Sequence, residues 1–181
     1  VNCSLLIVHC SLFTAKMASF IKDKIIGTWK LVSWQYEGEN GEIIDYLGEK
    51  PVGVLMYDEN GLMNAQLMRS SRPNFAQEAI SGGTLEEMGQ AFGSYLAYFG
   101  SYIEKEPGAI VHTVIGSLFP NWIGHQETRY GQIEGDNLIL STPPIPALGR
   151  DIVFYIRWQR VTGQQLAAEY AILSSVIQEH N

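Results

Sequence analysis

Val52-Gly53-Val54-Leu55-Met56-Tyr57-Asp58-Glu59-Asn60-Gly61-Leu62-Met63-Asn64-Ala65-Gln66-Leu67-Met68 decides the fold class. Two short apolar runs flank a polar tetrapeptide that ends in Asn-Gly. Such a pair takes a positive φ at little steric cost, so the stretch is expected to be a β-hairpin. The same grammar repeats outward in both directions. Thr28–Tyr36 is rich in aromatic and β-branched residues and stops at Glu39-Asn40-Gly41. Further strands are expected at Ile43–Ile44, Phe99–Ile103, Ile110–Leu118, His125–Ile133, Leu138–Ser141 and Ile152–Val161. Their turns are Glu106-Pro107-Gly108, Phe119-Pro120-Asn121 and Gly135-Asp136-Asn137, and Pro143, Pro144 and Pro146 mark an extended loop. Eight or nine short strands joined mostly by hairpins read as one antiparallel barrel.

Two segments break the strand pattern. Thr84 with Glu87 forms a capping box, and Leu85, Met88, Phe92, Tyr95 and Leu96 then share a helical face. A helix is expected from Thr84 to about Tyr98, outside the sheet, with Gly89 and Gly93 letting it approach closely. A second helix is expected at Gln164–Gln178, with the stripe Leu166, Tyr170, Leu173 and Ile177 packed on a neighbour.

The 181 residues suit a single domain, and hydrophobic residues make up 46% against 17% charged, the balance of a folded chain. The net charge is -7 and no Lys/Arg cluster occurs, which argues against a nucleic-acid partner. No apolar run reaches the roughly 18–20 residues of a membrane-spanning helix, so no membrane partner is expected. Both cysteines, Cys3 and Cys10, fall in the first ten residues. The barrel segment therefore has no disulfide framework, thiolate metal site or cysteine nucleophile, and a cytoplasmic location is expected. Residues 1–16 lack a basic n-region and are expected to be a disordered or spurious extension, with Met17 as a plausible start. The expected organisation is thus an extension over 1–16, a barrel domain over 17–161 and a helical tail over 162–181.

No phosphate loop, dinucleotide fingerprint or nucleophile elbow is present, and no cofactor is expected. His112, His125 and Glu127 match metal-ligand spacings only loosely, so no metal is expected. One segment stands apart: Ser117-Leu118-Phe119-Pro120-Asn121-Trp122-Ile123-Gly124. Its aromatics either plug a barrel end or wall a ligand cavity, with the Asn121 amide as a polar handle.

That segment and its flanks resemble the lipocalin-like domain family of bacterial and fungal proteins. The resemblance runs from Gly27-Thr28-Trp29-Lys30-Leu31-Val32-Ser33 through Pro51-Val52-Gly53, Gln66-Leu67-Met68-Arg69 and Tyr95-Leu96-Ala97-Tyr98-Phe99-Gly100. It continues through His112, Ser117–Gly124, Arg129-Tyr130 and Leu140-Ser141-Thr142-Pro143-Pro144 to Trp158-Gln159-Arg160. It covers Ile26 to Val161 and implies a calycin-type barrel with a central cavity. Some barrels of similar architecture in natural-product pathways act as cofactor-free cyclases or isomerases, and others only carry a ligand.

A hairpin about the Phe-Pro-Asn-Trp turn has one natural register that pairs Gly116 with His125, Val114 with Glu127 and His112 with Arg129. His112, His125, Glu127 and Arg129 would then share a face. In that arrangement Arg129 anchors a carboxylate or enolate oxygen and His112 moves a proton. Trp122 and Trp158 are the expected apolar walls. Tyr57, Gln66, Tyr98, Tyr102, Asn121 and Glu127 complete the candidate binding set, with Gly100 between Tyr98 and Tyr102 leaving room for a ligand or for the helix. Three functions compete: a proton-transfer cyclase or isomerase on a natural-product intermediate, a non-catalytic carrier of a small apolar metabolite, and an interaction module docking through its C-terminal helix. A polar constellation in the lumen favours the first and an apolar lumen the second.

Overall fold

The structure, a computed structural model, describes residues 20–80 and 82–178. The expectations for residues 1–16 lie outside the described residues. In chain order the elements are α1 (Lys22–Ile25), β1 (Gly27–Glu37), β2 (Ile43–Asp45), β3 (Val52–Tyr57), β4 (Leu62–Met68), α2 (Leu85–Gly93), β5 (Tyr95–Glu106), β6 (Ala109–Ser117), β7 (Gln126–Glu134), β8 (Asn137–Ser141), β9 (Ile145–Ala147), β10 (Arg150–Ile152), β11 (Phe154–Val161) and α3 (Gly163–Gln178). Sequential neighbours pair antiparallel from β3 through β8. β11 then bridges β8 and β1, and β1 returns to β3, which closes an eight-stranded barrel. β2 adds to the far end of β1, and β9 and β10 form a separate small hairpin. The barrel is the lipocalin-like, mainly β architecture expected from the strand grammar. Among the described residues, no helix is long and apolar enough to cross a membrane.

The opening hairpin forms as read. Gly61 takes φ +85°, Asp58 N–H donates to the Leu62 carbonyl at 2.9 Å, and the Asp58 carboxylate accepts from Leu62 N–H at 2.7 Å. Side chains at Met63, Ala65 and Leu67 point into the barrel, while the alternate positions of β4 face out.

One end of the barrel is sealed. α1 crosses it, with Ile21 and Ile25 in the core. The Trp29 indole donates to the Ile25 carbonyl at 2.7 Å, and the Arg160 guanidinium stacks on the Trp29 ring at 4.1 Å. Arg160 also donates to the carbonyls of Ile26 (2.7 Å) and Lys24, so one cation holds the plug to the last strand. Glu104 accepts the backbone N–H groups of Ile21 and Lys22 from the opposite wall.

The capping box at the start of α2 is present. Glu87 N–H donates to Thr84 Oγ1 at 3.2 Å, and Thr84 N–H donates to the Glu87 carboxylate at 2.7 Å. The helix nevertheless ends at Gly93 rather than near Tyr98. Gly93 is a poor helix residue, and Tyr95 and Leu96 instead pair with Met68 and Leu67 in the β4–β5 ladder. Gly89 and Gly93 face open space, so they serve no close approach to the sheet. Leu85, Met88 and Phe92 are 86%, 43% and 48% exposed, and α2 sits over the barrel rim without burying a residue.

α3 meets the barrel where β1 parts from β3. The Tyr170 hydroxyl accepts from Gly53 N–H at 3.1 Å and donates to the Gly53 carbonyl at 2.9 Å, satisfying edge groups that β1 no longer reaches. Leu173 and Ile177 lie outside the described side chains.

Candidate functional site

The open end leads into a cavity of about 410 Å³. Its walls come from the interior faces of the strands. Trp34 and Phe154 stand at one side, with the Tyr46 ring tilted against Trp34 at 4.8 Å and edge-on to Phe154 at 5.2 Å. Leu55, Ala65, Leu67, Leu140 and Ile156 supply the aliphatic wall, and Trp158 the deeper aromatic one. The rim carries Phe92, Leu118, Phe119 and Trp122. The Ser117–Gly124 segment is therefore both readings at once: a turn of tight helix at Pro120–Trp122 caps the barrel mouth and walls the cavity beneath. Trp122 packs edge-on against Tyr98 at 5.4 Å and lies 5.8 Å from the Arg129 guanidinium. Among the described residues, Arg129 is the only charged one in the lining.

The β6–β7 register differs from the expected one by two residues. His112 pairs with Glu127 and Ile110 with Arg129. The reason lies in the connection. The β6–β7 hairpin closes where Val114 N–H donates to the His125 carbonyl at 3.0 Å and Gly124 N–H donates to the Val114 carbonyl at 2.9 Å, and the chain between them turns through the tight helix at Pro120–Trp122. An even slip preserves the faces, so His112, Glu127 and Arg129 still share the interior side. His125 does not join them: it precedes β7 and is exposed.

His112 is wholly buried and stands behind the cavity wall rather than in it. The Tyr57 hydroxyl lies 2.8 Å from its Nε2 and the Tyr98 hydroxyl 3.0 Å from its Nδ1. Burial, reinforced by the Arg129 charge, drives the His112 pKa well below the ordinary imidazole range, so the ring is neutral. Burial likewise raises both tyrosines, Tyr57 strongly. Arg129 donates to the Thr128 carbonyl at 2.8 Å and contacts Glu127 at 3.3 Å, with the Arg129 side chain 8% exposed.

Of the expected site residues, Tyr98, Trp122, Arg129 and Trp158 line the cavity. Tyr57 and His112 form the layer behind Tyr98. Tyr102 is buried deeper, donating to the Asp58 carbonyl at 2.8 Å. Gln66 is a correction: it lies on the outer face of β4, where its amide bonds Asn64 at 2.9 Å and Tyr95 donates to it at 2.7 Å. Asn121 is exposed and Glu127 half-buried, and neither lines the cavity. Gly100 is a second correction. A Cβ there would strike the Thr113 backbone across a bulge, so its smallness serves strand packing and leaves no ligand space.

Sequence reasoning missed Trp34, Thr142 and Phe154 as cavity residues. Strict alternation from Trp29 turns Trp34 outward, but the β1–β11 pairing slips between Leu31 and Ser33 and returns it to the interior. Among the described residues, no group of three His, Cys, Asp or Glu side chains could hold a metal ion.

Comparison with known proteins agrees with this architecture. A lipocalin-like domain model matches residues 26–161. The 4'-hydroxy-3'-methoxypropiophenone carrier protein ppsC of Aspergillus oryzae (strain ATCC 42149 / RIB 40) is 34% identical over 107 residues, covering 55% of this chain and 96% of that protein. The barrel and these matches together show that the chain belongs to the lipocalin-like domain family.

Proposed function

We propose that this protein binds and carries a small, largely apolar aromatic metabolite without transforming it. The observation that carries the reading is the cavity wall: aromatic and aliphatic side chains surround about 410 Å³, with a single charged group at one side. A volume in that range suits a ligand of roughly drug-fragment size, and such pockets gain affinity mainly from buried apolar contact. His112, the residue best suited to move a proton, stands off the cavity with a tyrosine on each ring nitrogen. A general base needs hydrogen-bond reach to the proton it takes, and His112 has Tyr98 in between. The similar carrier from Aspergillus oryzae supports an aryl ketone as the ligand type. A cofactor-free cyclase or isomerase is the second reading. It draws on the Tyr57–His112–Tyr98 chain, which ends at the cavity wall.

Titration with 4'-hydroxy-3'-methoxypropiophenone, followed by intrinsic fluorescence, separates the readings. Trp34, Trp122 and Trp158 all line the cavity, so saturable one-to-one quenching is expected. Arg129→Met should weaken it. Chromatography after prolonged incubation should return the ketone unchanged. Conversion to an isomer or a cyclised product overturns the carrier reading, and absence of saturable binding overturns the ligand class.

A further inference from the structure

We propose that the cavity recognises its ligand through a carbonyl oxygen, which accepts a hydrogen bond from the Tyr98 hydroxyl beside the Arg129 guanidinium. This rests on the carrier reading and deepens it by naming the chemical group that is read.

A neutral imidazole has one N–H and one acceptor nitrogen. Tyr57 and Tyr98 each contact one of the two nitrogens of His112, so one tyrosine donates to the ring and the other accepts from it. Tyr57 is 2% exposed, does not line the cavity, and has His112 as its hydrogen-bond partner. A buried hydroxyl proton left undonated costs the full desolvation of that group, so Tyr57 must donate to Nε2. That fixes the proton of His112 on Nδ1, and Nδ1–H donates to the Tyr98 oxygen. Tyr98 then retains its own O–H with no protein acceptor bonded to it, and Tyr98 lines the cavity.

A second observation points the same way. Among the described residues, Arg129 is the only charged residue in the lining and no carboxylate stands there, which selects a ligand that accepts hydrogen bonds. A ketone oxygen is such a group and brings no proton that would need an acceptor of its own.

The test uses propiophenone and propylbenzene, which share a skeleton and differ in the carbonyl oxygen. Tyr98→Phe should weaken propiophenone binding about tenfold and leave propylbenzene within about twofold, since a lost hydrogen bond affects one ligand only. Unchanged propylbenzene binding also shows that the variant is folded. Equal losses for the two ligands, or no loss for either, overturn the proposal while leaving the carrier reading standing. Failure of wild-type protein to bind either ligand overturns the carrier reading and the proposal with it. Imidazole ¹⁵N shifts supply an independent readout. They should show His112 protonated at Nδ1, and a proton at Nε2 refutes the donor argument because Tyr98 would then spend its hydrogen on His112.

Discussion

His112 makes stability depend on pH in a direction that its surroundings dictate. The ring is wholly buried between Tyr57 and Tyr98, and desolvation together with the Arg129 charge holds its folded-state pKa well below the ordinary value. In the unfolded chain the same ring titrates near its ordinary pKa of about 6.5. Well above that pH both states are neutral at this residue, and no stability is lost. Below it, the unfolded state takes up a proton that the folded state refuses, so stability falls as pH falls and continues to fall until the folded pKa is reached. Between pH 7.5 and 5.5 the loss from this one residue is about 1.4 kcal/mol for a ring that stays neutral in the fold. Chemical denaturation at pH 7.5, 6.5 and 5.5 measures it. His112→Gln is expected to be less stable at pH 7.5, because one of two buried hydrogen bonds goes, but to lack this component of the slope, so the gap narrows as pH falls. Subtracting the two curves cancels the carboxylates and the other histidines. Parallel curves would refute the reasoning, since they require His112 to take a proton as readily in the fold as outside it.

Three further outcomes are expected. Arg160→Met should cost about 2 kcal/mol in denaturation by removing charge-assisted bonds to the α1 end and the stack on Trp29, while ligand affinity stays unchanged because neither residue lines the cavity. Gly100→Ala should cost about 2–4 kcal/mol, read as a lowered Tm, because the new methyl meets the Thr113 backbone rather than a flexible side chain. Trp122→Ala should weaken an aryl ketone about tenfold in fluorescence or calorimetric titration, with little change in denaturation midpoint, because Trp122 is a partly exposed wall of the mouth.

The hairpins, the capping box and the barrel were legible because each rests on local chemistry. Asn60-Gly61 and Thr84–Glu87 specify their turn and cap within a few residues. What was not legible depends on where chains meet. The end of α2 at Gly93 is decided by the offer of a partner strand to Tyr95 and Leu96, a non-local gain that outweighs their helical spacing. The β6–β7 register differs by two from the expected one because the hairpin closes at Val114 and the residues after it form a tight helical turn, which no pattern within the hairpin reveals. The faces survived that error because two is the period of a strand. Gln66 is expected among the ligand-binding residues as a neutral hydrogen-bonding group, whereas alternation against Ala65 and Leu67 sets it on the outer face of β4. Tyr57, Tyr98 and His112 were each singled out by residue type. Their meeting needs three strands and a register, so the tyrosine on each ring nitrogen was beyond the sequence alone.

The barrel divides its labour along its axis. At the sealed end Trp29 and Arg160 donate to backbone carbonyls of α1 and the residue after it. At the open end the reverse holds: Trp34 and Trp158 keep N–H groups without protein acceptors, and apolar side chains such as Phe92 and Phe119 stand exposed at the rim. Unmet donors and exposed apolar surface both cost stability in an empty protein. The exposed apolar surface borders the cavity, and the proposed apolar ligand would cover it on entry. A ligand that binds the folded state alone stabilises it in proportion to the logarithm of its excess over Kd, about 2.7 kcal/mol at a hundredfold excess. The two ends thus differ in what they present: the closed end pairs its polar groups across α1 and β11, and the open end presents an apolar cavity.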